Sequence, residues 1–393
     1  MFIMLLLDSF FNYFLNVFGI PAIPTNALLI PLFALALVAF GGRSIQLKTY
    51  QLMAFIFLVS GFLMGFIIIE GTSWMKLGAL STGMISLLIG VSLGRFKDSD
   101  RHISNIGLLI GGIYCVVCAI ATLRLMPAFF PVIDAIGYSS KGTLIVRPEV
   151  TIDQNFQIFY LFPVILCFTK KQSYKEIFIA IILVGLAVFS LVKLQTRSGI
   201  LLIALGLASA FIMAISTKHK KPVLLLIGAI FFLLVAMLNL DSIIKISSGL
   251  IVRFTEDDLG GAWGRLFSAE YLFQKLIDVR WWLPKGDAIF ANAYGDVPHF
   301  NPTAIFLEAG LVGLIGWCML SLGPLIKGGF SIFKKRMKNH HAIYLGAFIS
   351  MVASLTLNAP LFEHVWVWVG LLIGATSQTI KKRTSVSQKR LIK

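Results

Sequence analysis

Three side chains in the second half of the chain are of the types that grip an anion and move a proton. Arg197 lies in Gln195-Thr-Arg-Ser-Gly199, Arg265 in Gly264-Arg-Leu266, and His299 in Val297-Pro-His-Phe-Asn-Pro302. Imidazole titrates near neutral pH and serves as a general base. A guanidinium presents a planar fork that meets two phosphate oxygens at once. At a membrane surface the obvious anion for such a set is a lipid diphosphate. Arg253, in Val252-Arg-Phe254, extends the cationic set, and Lys193 and Lys285 are candidates to join it. Each residue also has a plainer reading. His299 then caps a helix or sits at the interface, Arg197 snorkels from a helix end, and Arg253 and Arg265 pair with Glu256, Asp257 and Asp258. That acidic triplet fits the spacing of no standard metal loop, so it reads as a solvated loop rather than a cation site.

The elements that must position these residues follow from composition. The chain has 393 residues, of which 58% are hydrophobic and only 13% charged, with mean hydropathy +0.87. Soluble domains carry about 25% charged residues, so the bilayer must act as solvent. The expected fold is all-α: a polytopic integral membrane protein treated as one membrane domain over 1–393. About twelve transmembrane helices are expected, because each apolar run of about 20 residues is one span. They fall near 3–20, 26–41, 51–69, 77–94, 105–123, 155–169, 176–194, 199–216, 223–240, 302–326, 342–357 and 364–380. The first run lacks a basic start and a small-residue cleavage site, so it reads as a retained span.

The net charge of +16 is explained by position and implies no nucleic-acid partner. With both termini inside, 22 of the 34 basic residues fall in cytoplasmic segments, whereas 14 of the 18 acids fall outside. This is the positive-inside bias. The tail 381–393 is basic and is expected at the cytoplasmic membrane surface. Cys115, Cys118, Cys167 and Cys318 all lie in expected spans and read as small apolar packing. His102, His219, His340 and His341 fall among cytoplasmic lysines, which leaves His299 and His364 facing outward.

Two external segments are longer than the rest, about 125–154 and 241–301. The second resembles a small soluble unit. Leu266, Phe267, Tyr271, Leu272 and Leu276 recur at helical spacing, predicting a helix over 264–278 that lies on the membrane interface. Trp281 and Trp282 suit headgroup depth, and Pro284-Lys-Gly286 makes a turn.

Taken together, three blocks resemble the bacterial O-antigen ligases and O-antigen polymerases, membrane glycosyltransferases that use lipid-linked donors. The first is the hairpin Gln195-Thr-Arg-Ser-Gly199, and the second is Gly264-Arg265 in the large loop. The third is His299 followed by Gly310-Leu-Val-Gly313; Phe300 stands where the family has Asn, and Asn301 follows. The blocks cover about 190–315, and the span number and loop size agree. The resemblance implies a location in the bacterial inner membrane, with 241–301 periplasmic. The implied donor is a glycan on undecaprenyl diphosphate, with lipid A–core or a second lipid-linked glycan as acceptor. Arg197 and Arg265, with Arg253, would hold the diphosphate, and His299 would orient or deprotonate the acceptor hydroxyl. Lys193, Lys285 and Asn301 would line the donor and glycan site. No metal or other cofactor is implied, and direct attack would invert the anomer. The ligase reading is slightly preferred over the polymerase. A transporter or flippase is a more distant alternative, since the chain shows no repeat and gathers its ionisable groups on the external face.

Overall fold

The computed structural model describes residues 47–69, 74–95, 99–125, 132–138, 144–150, 174–194, 197–216, 260–294, 298, 300–333, 341–355 and 365–377. Helices dominate: α1 (Thr49–Ile68), α2 (Trp74–Leu93), α3 (Ser99–Thr122), α4 (Tyr174–Lys193), α5 (Arg197–Ser216), α6 (Gly260–Leu276), α7 (Ala288–Tyr294), α8 (Asn301–Phe333) and α9 (His341–Leu355), then α10 (Val365–Ser377). Among the described residues three helices are long and apolar enough to cross a membrane: Thr49–Ile68, Lys175–Lys193 and Asn301–Ser331. Eight of the twelve expected spans coincide in position with described helices. The expected spans at 3–20, 26–41, 155–169 and 223–240 lie outside the described residues, as does the tail 381–393.

One element departs from the all-α expectation. Strands β1 (Val132–Tyr138) and β2 (Leu144–Val150) pair antiparallel, from Val132 opposite Val150 to Tyr138 opposite Leu144. Val132, Ile133, Ile136, Ile145, Val146 and Val150 are β-branched, which favours extended backbone. Seven residues are too few for a span, and the hairpin falls within the segment 125–154 that the sequence sets between two expected spans.

The chain divides into two compact units. The first contains α1, α2 and α6 to α10, and its centre is the pairing of α1 with α8. Gly61 and Gly65 of α1 meet α8 backbone to backbone. A Cβ built on Gly61 would lie 2.6 Å from the Ala309 carbonyl oxygen and from the Gly313 Cα. Gly316 meets α1 in the same way at Ala54 and Leu58. Small residues at such crossings let helices approach closely, which substitutes packing for the hydrophobic drive that lipid removes. Gly90 of α2 and Gly94 just after it repeat the device against Gly370 and Gly374 of α10. Away from these seams the helices expose apolar stripes: Leu52, Met53, Ile56, Leu63 and Ile67 on α1, and Val312, Ile315, Leu322, Ile326 and Phe330 on α8. Helices apolar on both the packed and the open face suit a lipid environment.

The second unit contains α3, the hairpin, α4 and α5. Its core gathers Cys115 of α3, Ile177, Ala180, Leu183, Ala187 and Leu191 of α4, and Ile203 of α5. Helix α3 ends in a Schellman-type turn. Arg124 takes φ 55°, its N–H donates to the Ala121 carbonyl, and the Leu125 N–H donates to the Ile120 carbonyl.

Candidate active site

Helix α6 carries Arg265 and packs on the start of α8. A buried bond ties them: the Thr303 hydroxyl donates to the Ser268 carbonyl at 2.6 Å. Ser268 lies one turn beyond Arg265, and Thr303 lies two residues beyond Asn301. Both bonded residues are fully buried. A buried bond of this kind is costly to lose and fixes register. One turn further along α6, Tyr271 packs with Phe290 of α7 and Leu307 of α8, with Trp281 against the cluster. The Tyr271 ring stands edge-on to Trp281, Phe290 and Tyr294, with centroids 5.2 to 6.0 Å away. Burial, with Tyr294 beside it, raises the Tyr271 hydroxyl above the usual tyrosine pKa, so it stays protonated.

Helix α8 is broken at Gly310, where φ is 66° and ψ −169°. That conformation is open essentially to glycine alone. A break frees carbonyls before it and N–H groups after it, and these need partners, above all in an apolar setting. The segment Trp282–Gly286 supplies them. The N–H groups of Lys285 and Gly286 both donate to the Leu307 carbonyl at 2.9 Å, and the Leu311 N–H donates to the Trp282 carbonyl at 2.9 Å. Pro284 lies in the notch: a Cβ on Gly310 would sit 3.0 Å from its Cδ and 2.6 Å from the Trp282 oxygen. The expected turn at Pro284-Lys-Gly286 is thus the wedge that fills the broken helix. Gly286 itself takes φ 83°.

The surface beside this wedge is cationic and aromatic. The Lys275 ammonium lies over the Trp281 ring at 4.3 Å, and Lys285, exposed, lies 5.9 Å from the same ring. Arg280 donates from Nε and Nη2 to the Asp278 carboxylate, at 2.7 to 3.1 Å. The arginine holds the Asp278 carboxyl below its usual range, and the carboxylate raises Arg280 in turn. Phe273, Ile277, Val279, Trp282 and Leu283 are exposed around it.

Asn301, the first residue of α8, is 1% exposed, and its Oδ1 meets no hydrogen-bond donor among the described residues. A buried amide oxygen without a donor is uncommon and calls for a reason. His299 and Arg253 lie outside the described residues, and of Arg197 and Arg265 only the backbone is described. Arg265, Lys285 and Asn301 therefore belong to the first unit, around the α6–α8 contact. Arg197, which opens α5, and Lys193, which closes α4, belong to the second. Among the described residues no three His, Cys, Asp or Glu side chains cluster as metal ligands.

Three features here were not singled out from sequence. The Thr303–Ser268 tie joins residues 35 apart and leaves no local pattern. Lys275 is one helical lysine among many. Glu308 had a visible signal, an acid inside the apolar run 301–331, and it lies partly exposed two residues before the break. Comparison with family models, curated proteins and solved structures finds no match for this chain.

Proposed function

We propose that this protein is a membrane glycosyltransferase that moves a glycan from undecaprenyl diphosphate to an acceptor hydroxyl at the periplasmic face of the bacterial inner membrane. The observation that carries the reading is the Thr303–Ser268 bond. It ties the helix bearing Arg265 to the first turn of α8, the element that His299 precedes by two residues in the sequence. In this mechanism the acceptor oxygen attacks the anomeric carbon and its proton passes to His299. The bond from that carbon to the diphosphate breaks, and the lipid diphosphate leaves with the electron pair. Arg265 and Arg197, with Arg253, offset the charge that develops on the leaving oxygens. Lys193 and Lys285 add to the cationic field around the diphosphate. Asn301, with an amide oxygen that meets no donor among the described residues, is proposed to accept a hydrogen bond from a glycan hydroxyl. Cationic side chains do here the work that a metal does elsewhere, so the proposed reaction is metal-independent and inverts the anomer.

The preferred acceptor is lipid A–core, which makes the protein an O-antigen ligase. The polymerase reading is favoured by the β1–β2 hairpin, which gives the second external segment, with Arg147 opposite Ala135, a defined structure. The test is transfer by the purified chain from a defined undecaprenyl-diphosphate glycan to either acceptor. Product on lipid A–core alone supports the ligase; extension of the lipid-linked glycan alone supports the polymerase. Transfer to neither, by a folded protein, ends the proposal. Orientation is tested by a cysteine at 258: labelling of intact cells only after the inner membrane is breached places the loop in the cytoplasm and removes the site.

A further inference from the structure

Helix α6 has a packed face and an outward face, and the outward face is apolar only towards its end. The packed face carries Ser268, Tyr271 and Leu272, all buried, with Tyr271 against Phe290 and Leu307. On the outward side Glu270 and Gln274 are joined by a 3.1 Å hydrogen bond, and both are exposed. Each is followed three residues on, and so on the same side of the helix, by an exposed apolar residue: Phe273 and Ile277. The chain then turns through Val279, Trp282 and Leu283, which are exposed as well. Ile277, at the tip, is 85% exposed, more than any other described large apolar residue. Large apolar side chains gathered in one exposed patch mark a surface that meets a partner other than water.

The depth of this patch is set by α1. Its 20 residues rise about 30 Å, the thickness of a bilayer's hydrocarbon core. The turn Pro284–Gly286 rests on the end of that helix. A Cβ on Gly286 would lie 3.1 Å from Ile69 Cγ2, and one on Gly65 would lie 3.6 Å from Pro284 Cβ. Ile67 and Ile68, which close α1, are exposed too, so the apolar stripe of α1 runs out at the level of the turn. The surroundings of the patch are cationic. Arg280 is bound to Asp278, while the Lys275 and Lys285 ammoniums stand 4.3 and 5.9 Å from the centre of the Trp281 ring. Tryptophan suits headgroup depth, lysine stems reach from there to lipid phosphates, and an anionic leaflet attracts their charge.

We propose that Phe273, Ile277, Val279, Trp282 and Leu283 form a tip that dips into the leaflet at which α1 ends, with Lys275 and Lys285 on its anionic headgroups. The tip enters end-on. Helix α6 does not lie flat on the interface as its spacing predicts, because its marked face is packed and Glu270 and Gln274 hold the outward side a turn above the tip. The seating is independent of glycan transfer, and its test reads lipid contact alone. Photoreactive benzoylphenylalanine replaces Glu270, Gln274, Ile277 or Leu283, one at a time, in the full-length chain. All four side chains are exposed, so the packing survives each replacement. The protein is reconstituted in vesicles of phosphatidylglycerol and phosphatidylcholine and irradiated, and intact-protein mass spectrometry reads the adducts. Positions 277 and 283 gain the mass of a phospholipid, whereas 270 and 274 do not. In phosphatidylcholine alone the adduct at 277 falls about fivefold or more, and Lys275→Gln combined with Lys285→Gln brings the phosphatidylglycerol value down to the same level. Equal yields at all four positions, or no lipid adduct at 277, overturn the tip. A product of twice the chain mass makes the face an interface between copies and overturns the leaflet as its occupant. Equal yields with and without phosphatidylglycerol overturn the role of the two lysines.

Discussion

Replacing Gly310 with alanine tests how the break in α8 and the loop that fills it depend on each other. Two costs are expected. The backbone at φ 66° and ψ −169° lies in a region that costs a non-glycine residue about 1–3 kcal/mol. The new Cβ would also stand 2.6 Å from the Trp282 oxygen and 3.0 Å from Pro284 Cδ. Both atoms belong to the backbone or a rigid ring, so the segment Trp282–Gly286 must withdraw. Withdrawal breaks three bonds, Lys285 and Gly286 to Leu307 and Leu311 to Trp282, each worth about 1 kcal/mol net. The chain escapes by the cheaper route, so the expected loss is about 2–3 kcal/mol. Gly323→Ala is the control: a Cβ there meets nothing within 4 Å, and alanine is the better helix former. The assay is thermal unfolding in detergent, joined to thiol labelling of a cysteine placed at Lys285. Gly310→Ala should lower the midpoint and speed labelling, while Gly323→Ala does neither. If the two variants behave alike, the wedge is not held by the break and the reasoning fails.

Three further outcomes are expected. Gly61→Leu forces a side chain into the Ala309–Gly313 backbone, so it should abolish stable folding, whereas Gly323→Leu should not; yield of monodisperse protein reads the difference. Lys48 is pulled down from the ordinary lysine value of 10.5 to about 8 by burial, helped by its neighbour Lys327. Between those values the unfolded chain binds more protons than the folded one, so stability from this group rises from about pH 8 towards 10.5 and is flat below; midpoints in anionic-lipid-free detergent, native chain against Lys48→Gln, should show that slope only in the native chain. Finally, Arg197→Ala, Arg265→Ala and His299→Ala should each abolish glycan transfer by an inserted, abundant protein, and Arg197→Lys should restore little. Transfer should survive EDTA; loss on chelation with recovery on magnesium addition would return Asp257 and Asp258 to consideration as ligands.

The helices were legible because a bilayer demands long apolar runs, and such runs need no partner to be recognised. Thr49–Ile68 and Asn301–Ser331 could be read from composition alone. Which face of a helix packs was less legible. Spacing on α6 marked Leu266, Phe267, Tyr271, Leu272 and Leu276 as one apolar face. The structure buries Tyr271 and Leu272 and leaves Phe267 half exposed, because Phe290 and Leu307 arrive only beneath the middle of the helix. The hairpin was missed for a local reason. Gly137 in β1 and Pro148 in β2 dilute the strand pattern, and only the pairing of the two segments makes either one a strand.

The candidate site divides along a similar line. Residue types marked His299, Arg197 and Arg265, since their chemistry is written in their side chains. Gly310-Leu-Val-Gly313 entered as part of the same motif, yet each glycine has a structural task in this fold. Gly310 adopts a backbone that other residues avoid, and Gly313 lets α1 approach at Gly61. The glycines are therefore explained by the backbone at the head of α8, and the weight of the chemical argument falls on the histidine and arginines. The two claims come apart under mutation. Gly310→Ala should damage stability and transfer together, whereas His299→Ala should remove transfer and leave the unfolding midpoint unchanged. A His299→Ala protein that loses both would make His299 a structural residue of the same turn, and the proposed base would have to be sought elsewhere.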